Sequence, residues 1–277
     1  MSICFGACAL PALLQVSARA EDAPSVVPVE EPTSRVVLDD LFGKEKSKAY
    51  FCADKAGQIT EDRKQCGASS VGVGIHPFYD GGWSSVVRTG NIELTEQPVT
   101  LKNGGHEWCS SYWETEPAGE PTRRDLGRSF TEVKHSEHYA KLIRDAALLP
   151  DAELSVTGIR IDLDGNGTEE VLFVATGAED RNHPEDEEDT ETLVTLMGIR
   201  SIEGTDGAVK THIFLKTRQG YLAPPTQYAF VGVTDVEGDG TLEVVTKSWH
   251  NEGAGSSLWR FTGTSITPIS SYGGCAN

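Results

Sequence analysis

Apolar residues follow two different rhythms along the chain. Between residues 35 and 130 the chain reads as β-rich, with short β-like runs at Val71–Ile75, Trp83–Thr89, Asn91–Thr95 and Val99–Lys102. Turns such as Asp80-Gly81-Gly82 and Asn103-Gly104-Gly105 separate them. Short runs rich in β-branched and aromatic residues and bounded by Gly and Asn predict strands joined by tight turns. The rhythm changes from Thr131 to Leu149. There Val133, Tyr139, Leu142, Ile143, Ala146, Ala147 and Leu149 recur at roughly helical spacing, and Pro150 closes the segment. One helix is expected near 131–149.

Beyond Pro150 the strand rhythm returns and repeats itself. Ile159–Val174 reads IRIDLDGNGTEEVLFV and Gly232–Lys247 reads GVTDVEGDGTLEVVTK. Aligned on Asp162 and Asp235, 73 residues apart, the two share Asp at loop position 1, Gly at 4 and 6, Thr at 7, Glu at 9 and Val at 10. Such self-similarity signals a repeated structural unit. Unit one offers strands at Ser155–Ile161, Glu170–Thr176, Leu193–Ser201 and Lys210–Lys216; unit two offers Ala229–Thr234, Glu243–Trp249, Ser257–Thr262 and Ser265–Ile269. Each unit is then a four-stranded antiparallel meander with the acidic loop joining its first two strands, which is the plan of a propeller blade. The expected class is mainly β. Unit one also carries an insertion, Glu179 to Glu191, with eight carboxylates. Their self-repulsion favours a solvated loop, with weak cation binding as the second reading.

The repeated loops carry the chemistry. Calcium takes six to eight oxygen ligands at about 2.3–2.6 Å, and alternating residues of a tight loop turn their side chains toward one point. Loop one offers Asp162, Asp164, Asn166, the Thr168 carbonyl and Glu170; loop two offers Asp235, Glu237, Asp239, the Thr241 carbonyl and Glu243. Glycine at position 6 admits a backbone conformation that a Cβ would obstruct. An EF-hand loop would place a carboxylate at position 12, where these loops have Phe173 and Thr246. The last carboxylate falls at position 9 instead, and strand-forming residues follow it. These loops resemble the FG-GAP and VCBS repeats, the integrin-α-type propeller blades that hold Ca2+ in a D-x-D-x-D-G-x-x-D/E hairpin. The resemblance covers roughly residues 155–270 and implies calcium-loaded blade units at 151–277. It departs from the pattern at Asn166, which stands for the third Asp, and at Glu237, which stands for the second. Closure of a propeller requires about four blades or more. Either residues 35–130 supply degenerate blades, or the two units pack as a smaller β-structure.

Composition narrows the partners. The 277 residues carry 42 Asp and Glu against 24 Lys and Arg, a net charge of −18, which disfavours binding to nucleic acid or to anionic lipid. At 38% hydrophobic residues the chain can bury a sizeable core. Residues 1–20 read as a cleaved export signal: an apolar run from Ile3 to Val16, too short to span a membrane, precedes an Ala18-x-Ala20 cleavage pattern. The Pro- and Glu-rich stretch 21–34 reads as a flexible linker. Export to the medium, periplasm or cell surface follows. It leaves Cys52, Cys66, Cys109 and Cys275, which imply two disulfides, with Cys52–Cys66 and Cys109–Cys275 the favoured pairing of three. No C-x2–4-C pair suggests structural zinc.

Catalytic signals are weak by comparison. His106-Glu107 and His135-x-x-His138 do not match the H-E-x-x-H of a helical zinc hydrolase, and no G-x-S-x-G elbow or P-loop is present. Trp83, Trp108, Trp113, Trp249 and Trp259, with His76, Phe78 and Tyr79, suit core packing, and a glycan-binding face is the alternative. The sequence therefore favours an exported, non-enzymatic calcium-binding module that grips a protein or glycan. The competing reading is a secreted hydrolase with its site in 35–150 and the repeats as a stabilising appendage.

Overall fold

The computed structural model describes residues 34–38, 47–54, 58–60, 66, 69–79, 87, 89–102, 104, 106–107, 110–133, 136–149, 152–179, 192–203, 207–220, 226–250, 253–263 and 265–273. The export segment, the linker up to residue 33, most of Trp83–Thr89, Cys109, Cys275, Trp108, His135 and residues 180–191 lie outside them. The elements in chain order are β1 (Ser34–Leu38), β2 (Ser47–Asp54), β3 (Ile59–Thr60), β4 (Ser69–Gly74), β5 (His76–Pro77), β6 (Gly90–Lys102), β7 (His106–Glu107), β8 (Ser110–Ser111), β9 (Trp113–Pro117) and β10 (Thr122–Glu132). They continue with α1 (Ser136–Ala147), β11 (Glu153–Ile161), β12 (Glu170–Glu179), β13 (Thr192–Glu203), β14 (Ala208–Gly220), β15 (Gln227–Thr234), β16 (Glu243–His250), β17 (Gly253–Phe261) and β18 (Ile266–Gly273).

The chain is mainly β, as its rhythm implies, and both expected meanders form. Strands β11 to β14 pair antiparallel in sequence order, and so do β15 to β18. Their surroundings differ. The first meander continues through β10 into the N-terminal strands, giving an eleven-stranded sheet ordered β14-β13-β12-β11-β10-β6-β4-β1-β2-β3, with β9 joining β2 and β6. The second takes β5 on its edge and stands as a five-stranded sheet. Most described strands between Ser34 and Glu132 thus extend the sheet of unit one, while β5 joins the other sheet and β7 pairs only with β8.

Two local departures have physical causes. Thr131 and Glu132 belong to β10 and not to the helix, because they pair with Arg160 and Ile159 of β11, and Val133 donates its N–H to the Gly158 carbonyl at 2.9 Å. Their backbone groups are engaged by a sheet partner and so do not join a helical turn. Asn91–Thr95 and Val99–Lys102 are one strand, β6, running through Pro98. Residues up to Glu96 pair with β10 and those from Val99 pair with β9. Pro98 stands where that neighbour changes; it stays in register with Val71 of β4, and its carbonyl accepts the Ala118 N–H at 2.8 Å.

Side-chain alternation gives the large sheet two apolar faces. On one face Ile92, Leu94, Phe130, Ile159, Ile161, Leu172, Met197 and Ile199 meet Phe230, Val233, Val244, Phe261 and Ile266 of the smaller sheet. On the other face Phe173, Ala175, Val194 and Leu196 meet Ile143, Ala147 and Leu149 at the helix. A strand covered on both sides reads as a continuous apolar run, which explains Val171–Ala175. The helix ends where Leu148 adopts φ 55°, a conformation usually left to glycine. Its exposed side chain asks nothing of the core. Among the described residues no helix is long and apolar enough to cross a membrane.

Cys52 on β2 and Cys66 form a disulfide, with sulfurs 2.06 Å apart and a sequence separation of 14 residues. The pair is buried with Val36, Ala49, Val99 and Trp113. Closing a loop of that length restricts the unfolded chain by about 3 kcal/mol. The double variant Cys52→Ser/Cys66→Ser is expected to melt about 5–10 °C lower in a thermal unfolding scan. An unchanged Tm would mean that the bridge constrains nothing. The proposed Cys109–Cys275 bridge falls outside the described residues.

Candidate metal centre

Loop one joins β11 to β12 and loop two joins β15 to β16, so each leaves one strand and enters its antiparallel neighbour. Position 2 of each loop is apolar and turned inward: Leu163 and Val236 are fully buried, as is Leu242 at position 8 of loop two. The loops also touch. The Leu242 N–H donates to the Leu163 carbonyl at 2.8 Å.

With position 2 pinned in the core, the polar side chains organise the loop backbone. Asp162 accepts the Gly165 N–H on Oδ1 at 2.7 Å and the Gly167 N–H on Oδ2 at 2.9 Å. Asn166 Oδ1 accepts the Thr168 N–H at 2.7 Å, and Glu170 Oε2 accepts the Leu163 N–H at 2.9 Å. Loop two makes the same four bonds. Asp235 accepts from Gly238 at 2.6 Å and Gly240 at 3.0 Å, Asp239 from Thr241 at 2.7 Å, and Glu243 from Val236 at 2.9 Å. Asp164, which has no counterpart contact in loop two, accepts from the Asn166 N–H at 3.1 Å and from its amide nitrogen at 3.0 Å.

Position 4 is as constrained as position 6. Gly165 has φ 75° and Gly238 φ 77°, in the left-handed region that side chains resist. A Cβ on Gly165 would also lie 2.6 Å from the Arg128 guanidinium. The backbone conformation disfavours a side chain at that position, and at Gly165 a Cβ would also displace the Arg128 guanidinium.

The carboxylates closing the loops are perturbed in one direction. Burial, reinforced by Asp164 and Asp162, raises Glu170 to about 7; burial, reinforced by Asp235 and Asp239, raises Glu243 to about 8. Burial among other carboxylates favours the protonated form of both groups. A cation entering such a loop competes with that proton.

Four arginines surround the loops, and the spacing argument did not find them. Arg128 of β10 donates to the carbonyls of Asp162 at 3.3 Å and Leu163 at 3.0 Å, and to the Gly240 carbonyl of loop two at 2.5 Å. Arg124 of β10 donates to Asp235 Oδ2 at 2.6 Å, and Arg35 of β1 to the Asp235 carbonyl at 3.3 Å. Glu96 pairs with both Arg35 at 2.8 Å and Arg124 at 3.1 Å. Arg260 of β17 pairs with Glu237. The signal for two of them was present: Arg124, Leu126, Arg128 and Phe130 alternate along β10, and Phe130 marks the inward face.

The ligand candidates of each loop are therefore brought to one short segment. Asp162, Asp164 and Thr168 are half-buried, Asn166 is exposed and Glu170 is buried. Asp235 and Glu243 are buried, Glu237 and Thr241 half-buried and Asp239 exposed. The donor set of loop one is that of a hard-cation site: Asp162, Asp164 and Glu170 carry no Lys or Arg partner among the described residues, and its donors are all oxygens, although among the described residues no three His, Cys, Asp or Glu side chains converge closely enough to hold a metal. Loop two fits less well, because guanidinium groups already engage Asp235 and Glu237.

Several of the other candidates pack into the fold. Phe78 and Trp113 are buried, and Trp259 packs on Phe214 at 4.6 Å while donating to Thr246 at 2.8 Å. His76 Nδ1 lies 3.0 Å from the Glu93 carbonyl, and His138 is exposed on the helix. No protein-family model, curated protein or solved structure matches this chain.

Proposed function

We propose that this chain is an exported calcium-binding module without enzymatic activity, whose two meanders are FG-GAP/VCBS-like blade units. The observation that carries the reading is loop one. Asp162, Asp164, Glu170 and an amide oxygen share one nine-residue loop, backbone N–H groups hold Asp162 and Glu170 in place, and among the described residues no Lys or Arg pairs with these three carboxylates. Asp162, Asp164, Asn166, Glu170 and the Thr168 carbonyl would hold the ion. Bound Ca2+ would neutralise the loop and stiffen the β11–β12 hairpin, leaving loops elsewhere to contact a protein or glycan partner. A buried disulfide suits an oxidising compartment and so supports export.

The test is thermal unfolding with and without calcium. An ion that binds only the folded chain stabilises it by about 1.4 kcal/mol at ten times Kd, and extracellular modules bind at roughly 10⁻⁴–10⁻³ M. Several millimolar Ca2+ should raise the Tm of EDTA-treated protein by about 3–5 °C. Mg2+ should do less, since it demands a tight octahedral shell and keeps its waters. Asp162→Ala should abolish the calcium shift. A parent protein whose Tm ignores calcium would overturn the reading.

A further inference from the structure

Loop two places four carboxylates at its candidate ligand positions, one more than loop one does, yet part of that charge is met from within the chain. Asp235 is fully buried and its Oδ2 accepts two donors, the Gly240 N–H at 3.0 Å and Arg124 at 2.6 Å, while Oδ1 accepts Gly238 at 2.6 Å. In loop one the equivalent oxygen, Asp162 Oδ2, accepts only the Gly167 N–H among the described residues, so an acceptor direction remains for a metal. Position 3 differs in the same way: Glu237 pairs with Arg260, whereas among the described residues Asp164 accepts hydrogen bonds only from Asn166. We propose that the guanidinium groups of Arg124 and Arg260 are the resident cations of loop two, so that the chain takes one calcium ion, in loop one.

The chemistry supports this division. Arginine does not lose its proton under these conditions, so Arg124 cannot step aside by neutralising. A dication entering loop two would face Arg124 on Asp235 and Arg260 on Glu237, whereas Arg128 meets loop one only at its backbone carbonyls. Glu96 holds both Arg35 and Arg124 in position from the far side. The extra methylene of Glu237 has a use on this reading, since it carries the carboxylate to Arg260. Loop two then keeps the shape of a calcium loop while a permanent ion pair replaces the exchangeable ion.

The inference rests on the calcium reading for loop one, and two measurements on the full chain separate their fates. The first is calcium stoichiometry by isothermal titration of the EDTA-treated protein. One site is expected. Asp162→Asn should weaken it by about tenfold or more, and Asp235→Asn should leave one site of Kd within about threefold of the parent. Two sites in the parent, one of them lost in Asp235→Asn, would overturn the inference and sustain the calcium reading. The second measurement needs no metal. In EDTA, Arg124→Gln leaves Asp235 buried without its partner and should lower Tm by about 5 °C or more, while Arg124→Gln/Asp235→Asn, which removes both charges, should recover at least half of the loss. A parent without any calcium site would sink the calcium reading alone, because the Tm cycle still decides loop two. Arg124→Gln with an unchanged Tm, or with no recovery in the double variant, would overturn the inference.

Discussion

Alanine at position 128 is expected to lower Tm by about 5–10 °C and, on the calcium reading, to weaken calcium binding about tenfold. Arg128 serves both loops at once through the carbonyls of Asp162, Leu163 and Gly240. Hydrogen bonds from a charged donor contribute roughly 1.5–3 kcal/mol each, and these share one side chain, so a combined loss of about 2–4 kcal/mol is the reasonable expectation. The effect on affinity has a separate cause. Arg128 bonds the backbone at positions 1 and 2 of loop one, and groups that orient ligands from behind typically alter metal affinity by about 10–100-fold. Lysine should rescue little, because an ammonium lacks the planar fork that reaches several carbonyls. Calorimetric unfolding and calcium titration of Arg128→Ala and Arg128→Lys check both parts. A lysine variant equal to the parent would reduce the role of Arg128 to charge alone.

The largest loss of stability is expected at Phe130. Its ring is fully buried between the sheets, 5.3 Å from Phe78 and 5.5 Å from His76 between ring centres. Its backbone pairs with Ile161, the residue before Asp162, and with Gly90. Truncating a buried phenylalanine to alanine costs about 3–5 kcal/mol, or about 10 °C in Tm for a chain of this size. Ser129 beside it faces solvent, and Ser129→Ala should stay within about 0.5 kcal/mol. Denaturant unfolding of the two variants gives the comparison. Similar losses in both would mean that the face between the sheets is not the main core of the protein.

What could be read before folding was what neighbours in the chain impose on one another. The nine-residue loops, with Gly at positions 4 and 6 and acids at 1 and 9, state their own shape, because each acid bonds backbone groups no more than seven residues away. Alternation located the meanders, the helical period located all of α1 within a segment drawn too long, and a short cysteine spacing located one disulfide. The boundary at Thr131 was misplaced because its decisive partner, Arg160, lies on another strand. The joining of unit one to the N-terminal strands was equally hidden, since alternation tells which way a side chain faces but not which edge a strand will meet.

The arginines mark the same limit at the site. Arg124 lies 111 residues from Asp235, and Arg35 lies 200 residues from the carbonyl it binds. Spacing within loop two presents four carboxylates and implies a metal. Only the packing of one sheet on the other brings β1 and β10 beneath that loop, and with them the charges that answer it. Local geometry is written in the order of residues, whereas the choice of a counter-charge belongs to whichever surfaces the core brings together.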